Sequence, residues 1–378
     1  MRTRVIALAV LAIAALVVVT AATARPDAGA DRYIVVLKPG ADARAVANEH
    51  AAEHAAAVSF VYSYALSGYA ATIPNARLAA IKADERVDYV EPDGEMSAVA
   101  QTVPYGIAKI GDDVSSTRAG DGAGAVSNVN AYIIDTGIDT THTDLNVVGH
   151  VNFAGGPNRD CHGHGTHVAG TVAAKDNASD VVGVAPGAPL TGVKVLGCGG
   201  SGSNSGVIAG IDWVTANAVR PAVANMSLGG SVSQAIDDAV RRSAASGVFY
   251  AVAAGNDGAD ACSHSPARAG AGTNNGIMTV AATDSADKEA SWSNYGNCVD
   301  IWAPGVSVVS TRKGGGTTTM SGTSMASPHG AGGGALYLST NTGASPSSVE
   351  STLKSAAQTP GTKSKDGRSI VREYVGGF

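Results

Sequence analysis

Short apolar runs without polar alternation recur at residues 131–134, 192–196, 223–227, 248–253 and 277–280. Helix-like stretches at 206–218 and 233–246 lie between them. Strands of this kind are buried on both faces, so the pattern predicts a mostly parallel sheet with helices on both sides. In such sheets functional side chains gather where strands end. Asp135 directly follows the first run, and Asn256 follows Val252-Ala253-Ala254-Gly255.

Residues 25–96 have a different rhythm. Strands are predicted at 33–37, 69–73 and 87–91, with helices at 41–57 and 75–82, which makes a small α+β module. Residues 97–101 are small and polar and read as a linker. The expected fold is therefore α/β, with a central mostly parallel sheet, preceded by a small α+β domain.

The extreme N-terminus carries Arg2 and Arg4, an apolar run over 5–19 and then Ala22-Thr23-Ala24. This reads as a cleaved export signal over residues 1–24. The run is shorter than the roughly 20 residues that span a bilayer. Export changes the meaning of Cys161, Cys198, Cys262 and Cys298, because an even number in an oxidising compartment suggests two disulfides. Four cysteines allow three pairings, and sequence alone does not choose. Sequential pairing, Cys161–Cys198 with Cys262–Cys298, is the expectation taken forward; each closure is worth about 4 kcal/mol in the chain-entropy model. No two cysteines have zinc-ligand spacing.

Composition narrows the class further. The chain has 378 residues, 48 of them glycine, and its charged fraction of 15% is well below the roughly 25% of an average domain. That suits a compact enzyme with close backbone approaches. A net charge of −6 leaves no footprint for nucleic acid.

The candidate chemistry centres on Ser324, in Gly322-Thr323-Ser324-Met325-Ala326-Ser327-Pro328-His329. A serine needs a base and an orienter of that base before it can act as a nucleophile. Asp135 in Ile133-Ile134-Asp135-Thr136-Gly137 and His164 in His162-Gly163-His164-Gly165-Thr166-His167 are the candidates. The three histidines could be read as metal ligands, but no acidic residue stands at His-Glu-x-x-His spacing. An α/β-hydrolase elbow would need glycine where Ala326 stands.

These motifs, with Asn225-Met226-Ser227-Leu228-Gly229-Gly230 and Ala254-Gly255-Asn256, resemble the subtilisin-like serine proteases, in particular the proteinase K and aqualysin-like branch. The resemblance runs from about Val99 to the C-terminus, and residues 25–98 resemble the family's inhibitory propeptide. It implies a secreted, monomeric endopeptidase made as a self-processing zymogen, with Ser324 as nucleophile, His164 as base, Asp135 as orienter and Asn256 as oxyanion donor. Ser227, Leu228 and Gly229, with Gly200, Ser201 and Gly202, would pair with an extended peptide. Ala253 and Gly255 would wall a primary pocket for large apolar or aromatic side chains. Implied partners are protein or peptide substrates and the chain's own propeptide, as intramolecular chaperone and inhibitor. Nucleic acid is not implied, nor is a membrane once the signal is removed.

No cofactor is implied for catalysis. A structural calcium is implied at Asp300, and a second near Asp112 and Asp113. Asn204 stands where proteinase K has a tyrosine. Gly330, Gly333 and Gly334 depart from the family pattern. Interior helix glycines cost roughly 1 kcal/mol each against alanine, so replacing Gly333 and Gly334 by alanine is expected to raise the melting temperature. The alternative function is an exported binding protein on the same scaffold.

Overall fold

The computed structural model describes residues 29–64, 66–93 and 101–378. The expected export signal lies outside these residues. The chain divides into two compact units, Met1–Ala98 and Val99–Phe378.

The smaller unit is a four-stranded antiparallel sheet carrying two helices. Its elements are β1 (Ala30–Leu37), α1 (Ala43–His54), β2 (Ala57–Tyr62), β3 (Gly68–Pro74), α2 (Asn75–Lys82) and β4 (Val87–Pro92), in sheet order β2-β3-β1-β4. Val35, Leu37, Val46, Tyr69, Ile73 and Ile81 form its core. Strand β2 was not expected. The alanine-rich pattern runs on to residue 57, but Ala55 adopts a left-handed φ of 53° and ends α1. Among the described residues strand β2 pairs only with β3, and none of its side chains is buried, so it lacks a strong apolar signature.

The larger unit is a seven-stranded parallel sheet covered on both faces. Before its first strand lies α3 (Tyr105–Lys109), and then follow β5 (Asn130–Asp135), β6 (Val147–Asn152), α4 (His164–Ala173), β7 (Leu190–Lys194), α5 (Asn204–Asn217) and β8 (Ala222–Met226). After the short β9 (Gly230–Ser231) come α6 (Gln234–Ala245), β10 (Val248–Ala253), the short β11 (His264–Ser265), β12 (Ile277–Thr283) and β13 (Ile301–Pro304). The hairpin β14 (Val308–Thr311) and β15 (Thr317–Met320) precedes α7 (Thr323–Thr340) and α8 (Pro346–Ala356). The sheet order is β13-β12-β10-β8-β5-β7-β6, and every pairing in it is parallel.

Strand alternation assigns side chains to the two layers. Ile133, Phe249 and Ala251 pack on the α4 and α7 side, while Ile134, Tyr250 and Val252 pack on the α5 and α6 side. Burying each large apolar side chain contributes about 1.5–3 kcal/mol.

The glycines of α7 are packing positions, which reverses the expected gain from alanine. A methyl group on Gly334 would lie 2.5 Å from Cδ1 of buried Phe249, and one on Gly333 would lie 2.5 Å from Oε1 of buried Glu373. On Gly332 it would meet Val184 Cβ at 2.5 Å, and on Gly330 Met278 Cε at 2.6 Å. The helix lies close against the sheet because these side chains are absent.

Candidate active site

Asp135 ends β5 and is fully buried. His164 opens α4, launched by Gly163 at φ 110°, a left-handed value that favours glycine. The imidazole Nδ1 lies 2.8 Å from Asp135 Oδ1. A proton on Nδ1 donates to this carboxylate and leaves the Nε2 lone pair as the basic site. Burial alone would lower the His164 pKa, but the Asp135 charge and hydrogen bond outweigh it and hold it above 6.5. His167 and His329 lack such a partner, and burial pushes each down to about 4. They stay neutral and structural.

Asp160 builds the loop that delivers His164, and sequence reasoning missed it. Its Oδ1 accepts from Thr136 Oγ1 and from the His162 and Gly163 amides, and its Oδ2 accepts from the Thr166 amide and hydroxyl. An acidic residue just ahead of a helix start was the available signal. Lys194, also missed, is fully buried on β7 and donates to the carbonyls of Thr136 and Leu196 at 2.7 and 2.9 Å.

Ser324 lies in the first turn of α7, and two facts fix its surroundings. Pro328 has no N–H to bond the Ser324 carbonyl four residues back. Ser227 Oγ supplies that missing donor at 2.7 Å. Ser324 Oγ in turn donates to the Ser227 carbonyl at 3.2 Å, while Ser324, His164 and Thr136 border one groove. Asn256 is oriented through its oxygen, which accepts from the Thr323 amide at 2.8 Å and hydroxyl at 2.9 Å. Its Nδ2 is thereby the free end. Asn256 Nδ2 and the Ser324 amide nitrogen lie 3.7 and 3.6 Å from the point where a Gly322 Cβ would sit. Two donors thus flank one small space at a helix N-terminus, a place that favours negative charge.

The groove has a volume of about 450 Å³ and is bordered on one side by Gly200, Ser201 and Gly202 and on the other by Ser227, Leu228 and Gly229. Asn204, the first residue of α5, also lines it. A neighbouring pocket of about 520 Å³ shares Leu228, Gly229 and Ser324 and adds Ala253, Gly255 and Asn256. Its wall also carries Asp257 and His264, missed by sequence reasoning, with Nε2 of His264 3.1 Å from Asp257 Oδ2. The pocket is therefore not walled by small apolar residues alone.

Cys161 is bonded to Cys198, and Cys262 to Cys298. The first bridge ties the His164 loop to the Gly199–Gly202 segment. The second ties the Ser263–Ser265 wall to the loop before β13.

At Asp300, one of the expected calcium positions, both carboxylate oxygens are engaged by the protein. Asp300 Oδ1 is held by Lys354 Nζ at 2.7 Å and Oδ2 by the Thr279 amide at 2.8 Å. Asp112 is buried with neither carboxylate oxygen hydrogen-bonded, and that burial pushes its carboxyl up to about 8. Oxygen donors converge elsewhere. The carbonyls of Lys175 and Val181 lie 2.7 and 3.0 Å from Gln101 Nε2, and that of Ser179 lies at 3.5 Å. Gln101 Oε1 is buried without a partner. The buried Asp144 carboxylate meets Asn177 Nδ2 and the Val181 amide of the same loop. Carbonyls, side-chain amide oxygens and one carboxylate are ligand types that calcium accepts. Here the carbonyls are met by Gln101 Nε2, both Asp144 oxygens by Asn177 and Val181, and Gln101 Oε1 is the buried oxygen left unpartnered.

Comparison with known proteins places this geometry in context. Residues 127–376 match the Subtilase family, and residues 32–98 match Peptidase inhibitor I9. An "Extracellular serine proteinase" of Thermus sp. (strain Rt41A) is 43% identical over 87% of this chain and 85% of its own length. "Alkaline serine exoprotease A" of Vibrio alginolyticus is 43% identical over 84% of this chain and 60% of its own length. The crystal structure of a cold adapted subtilisin-like serine proteinase superposes with a TM-score of 0.63 at 41% identity, covering 72% of this chain and 97% of that one.

Proposed function

Because the chain belongs to the subtilase family of serine endopeptidases and carries an I9 inhibitor unit ahead of its catalytic domain, we propose that Asp135, His164 and Ser324 form its catalytic triad. The observation that carries this reading is the His164–Asp135 bond of 2.8 Å beside a groove that Ser324 also borders.

Turning about χ1, Ser324 Oγ leaves the Ser227 carbonyl and gives its proton to His164 Nε2 as it bonds to the substrate carbonyl carbon. The oxyanion accepts hydrogen bonds from Asn256 Nδ2 and the Ser324 N–H. His164 then returns the proton to the leaving amine, the C–N bond breaks, and an acyl-enzyme remains. Water repeats the sequence to release the acid. Asp135 stabilises the imidazolium at both stages. The peptide lies extended between the 200–202 and 227–229 segments. Its residue before the cleaved bond enters the second pocket, which has room for a large apolar or aromatic side chain.

In the same reading residues 1–24 are an export signal, 25–98 an inhibitory propeptide and 99–378 the catalytic domain of a secreted, self-processed monomer. The fall of the division into compact units at Ala98 and Val99 supports that boundary. A structural calcium would be held by Gln101, Asp144, Asn177 and the carbonyls of Lys175, Ser179 and Val181. Through these residues the segment at Gln101 and the 175–181 loop would be cross-linked, and the ion would supply charge to balance their oxygens.

The test is expression of wild type and Ser324→Ala, assayed on casein and a panel of peptides. Wild type should lose the propeptide and cleave after large apolar residues, while the variant remains unprocessed and inactive. A variant that matures unaided and hydrolyses casein contradicts the reading.

A further inference from the structure

Asp300, just before β13, and Glu350, in α8, aim one oxygen each at a single ammonium. Lys354 Nζ lies 2.7 Å from Asp300 Oδ1 and 3.1 Å from Glu350 Oε1. The outer oxygens are fixed by backbone. Asp300 Oδ2 accepts from the Thr279 amide, and Glu350 Oε2 from the Asn275 and Gly276 amides, all at 2.8 Å. Glu350 is fully buried, the Asp300 side chain is 9% exposed and that of Lys354 27%. These backbone bonds leave each carboxylate little freedom to turn its inner oxygen away.

An ordinary ion pair needs one carboxylate. Here two converge, and one ammonium does not cancel two carboxylate charges. Burial pushes the Asp300 carboxyl up to about 6, with Lys354 and the Thr279 amide opposing and Glu350 adding a little. Two converging carboxylates carry the charge that a divalent cation would match, and the chain meets it with an ammonium from its own helix, four residues beyond Glu350.

We propose that Lys354 is the built-in cation of the Asp300–Glu350 cradle, so that the native enzyme excludes divalent metal there and loss of the ammonium creates a divalent-cation site. The consequence is local and structural. The cradle ties α8 to the Asn275–Gly276 turn that starts β12 and to the start of β13 without any dependence on external calcium. This inference stands whether or not calcium binds at Gln101 and Asp144.

The test uses the full chain with a serine-protease inhibitor present. Bound calcium is counted by atomic emission, and melting temperature is compared in EDTA and in millimolar calcium, for wild type, Asp300→Asn and Lys354→Met. Asp300→Asn should keep the wild-type calcium content. Lys354→Met should hold about one more calcium per chain than wild type and gain more melting temperature from calcium. Loss of about one calcium in Asp300→Asn overturns the proposal, as does a folded Lys354→Met that takes up no more calcium than wild type. If Lys354→Met does not fold, the Asp300→Asn count decides alone.

Discussion

Ser227 and Ser324 are hydrogen-bonded to each other twice, the hydroxyl of each donating to the carbonyl of the other, at 2.7 and 3.2 Å. The first of these bonds fills the gap that Pro328 leaves in α7. Asn225 Nδ2 donates to Ser227 Oγ at 2.8 Å, and Ser327 Oγ donates to Asn225 Oδ1 at 2.7 Å, so β8 and α7 share one buried network. Ser227→Ala removes the donor to the Ser324 carbonyl and the acceptor of Asn225. The expected cost is about 1–3 kcal/mol, read from urea unfolding. Substrate affinity should change little, because the Ser227 backbone that would pair with the peptide is retained.

The glycines of α7 support an opposite sign from the one their helix propensity suggests. Gly334→Ala gains about 1 kcal/mol of propensity but drives a methyl group into Phe249. Overpacking of this kind costs about 1–3 kcal/mol, so the melting temperature should fall or stay level. A clear rise, measured by calorimetry, would show that the sheet yields at Phe249.

The acid limb of the kcat/KM profile should lie above pH 6.5, because the proposed mechanism needs neutral His164 and Asp135 favours its charged form. Asp135→Asn leaves burial opposed mainly by Asp160, so the His164 pKa falls and the limb moves to lower pH. The rate should fall by about 10⁴-fold, since the tautomer is no longer held. A pH series of both proteins checks the direction of the shift.

Chelation should lower the melting temperature of wild type, by up to about 4 kcal/mol of stability for a site filled at a thousand times its Kd. Asp144→Asn should remove most of that difference between EDTA and calcium. Thermal melts of the two proteins in each buffer decide it.

The sequence was legible where chemistry coincides with strand ends. Asp135 and Asn256 each follow an apolar run, at the C-terminal ends of the interior strands β5 and β10, and the structure places Asp135 against His164 and Asn256 against Thr323, next to Ser324. Other features left little trace. The calcium site proposed at Gln101 and Asp144 draws largely on backbone carbonyls, which no residue type announces. Lys354 lies 54 residues from Asp300, and only the fold brings them together. The α7 glycines looked like weak helix positions because their partners, Phe249 and Val184, come from distant segments. Strand β2 was hidden by the alanine-rich helix that precedes it.

Labelling with a fluorophosphonate, followed by peptide mapping, tests the central claim most directly. The account predicts a single adduct on Ser324, formed more slowly as pH falls through the His164 pKa and almost absent in His164→Ala. An adduct on another residue, or undiminished labelling of Ser324 in His164→Ala, would contradict it.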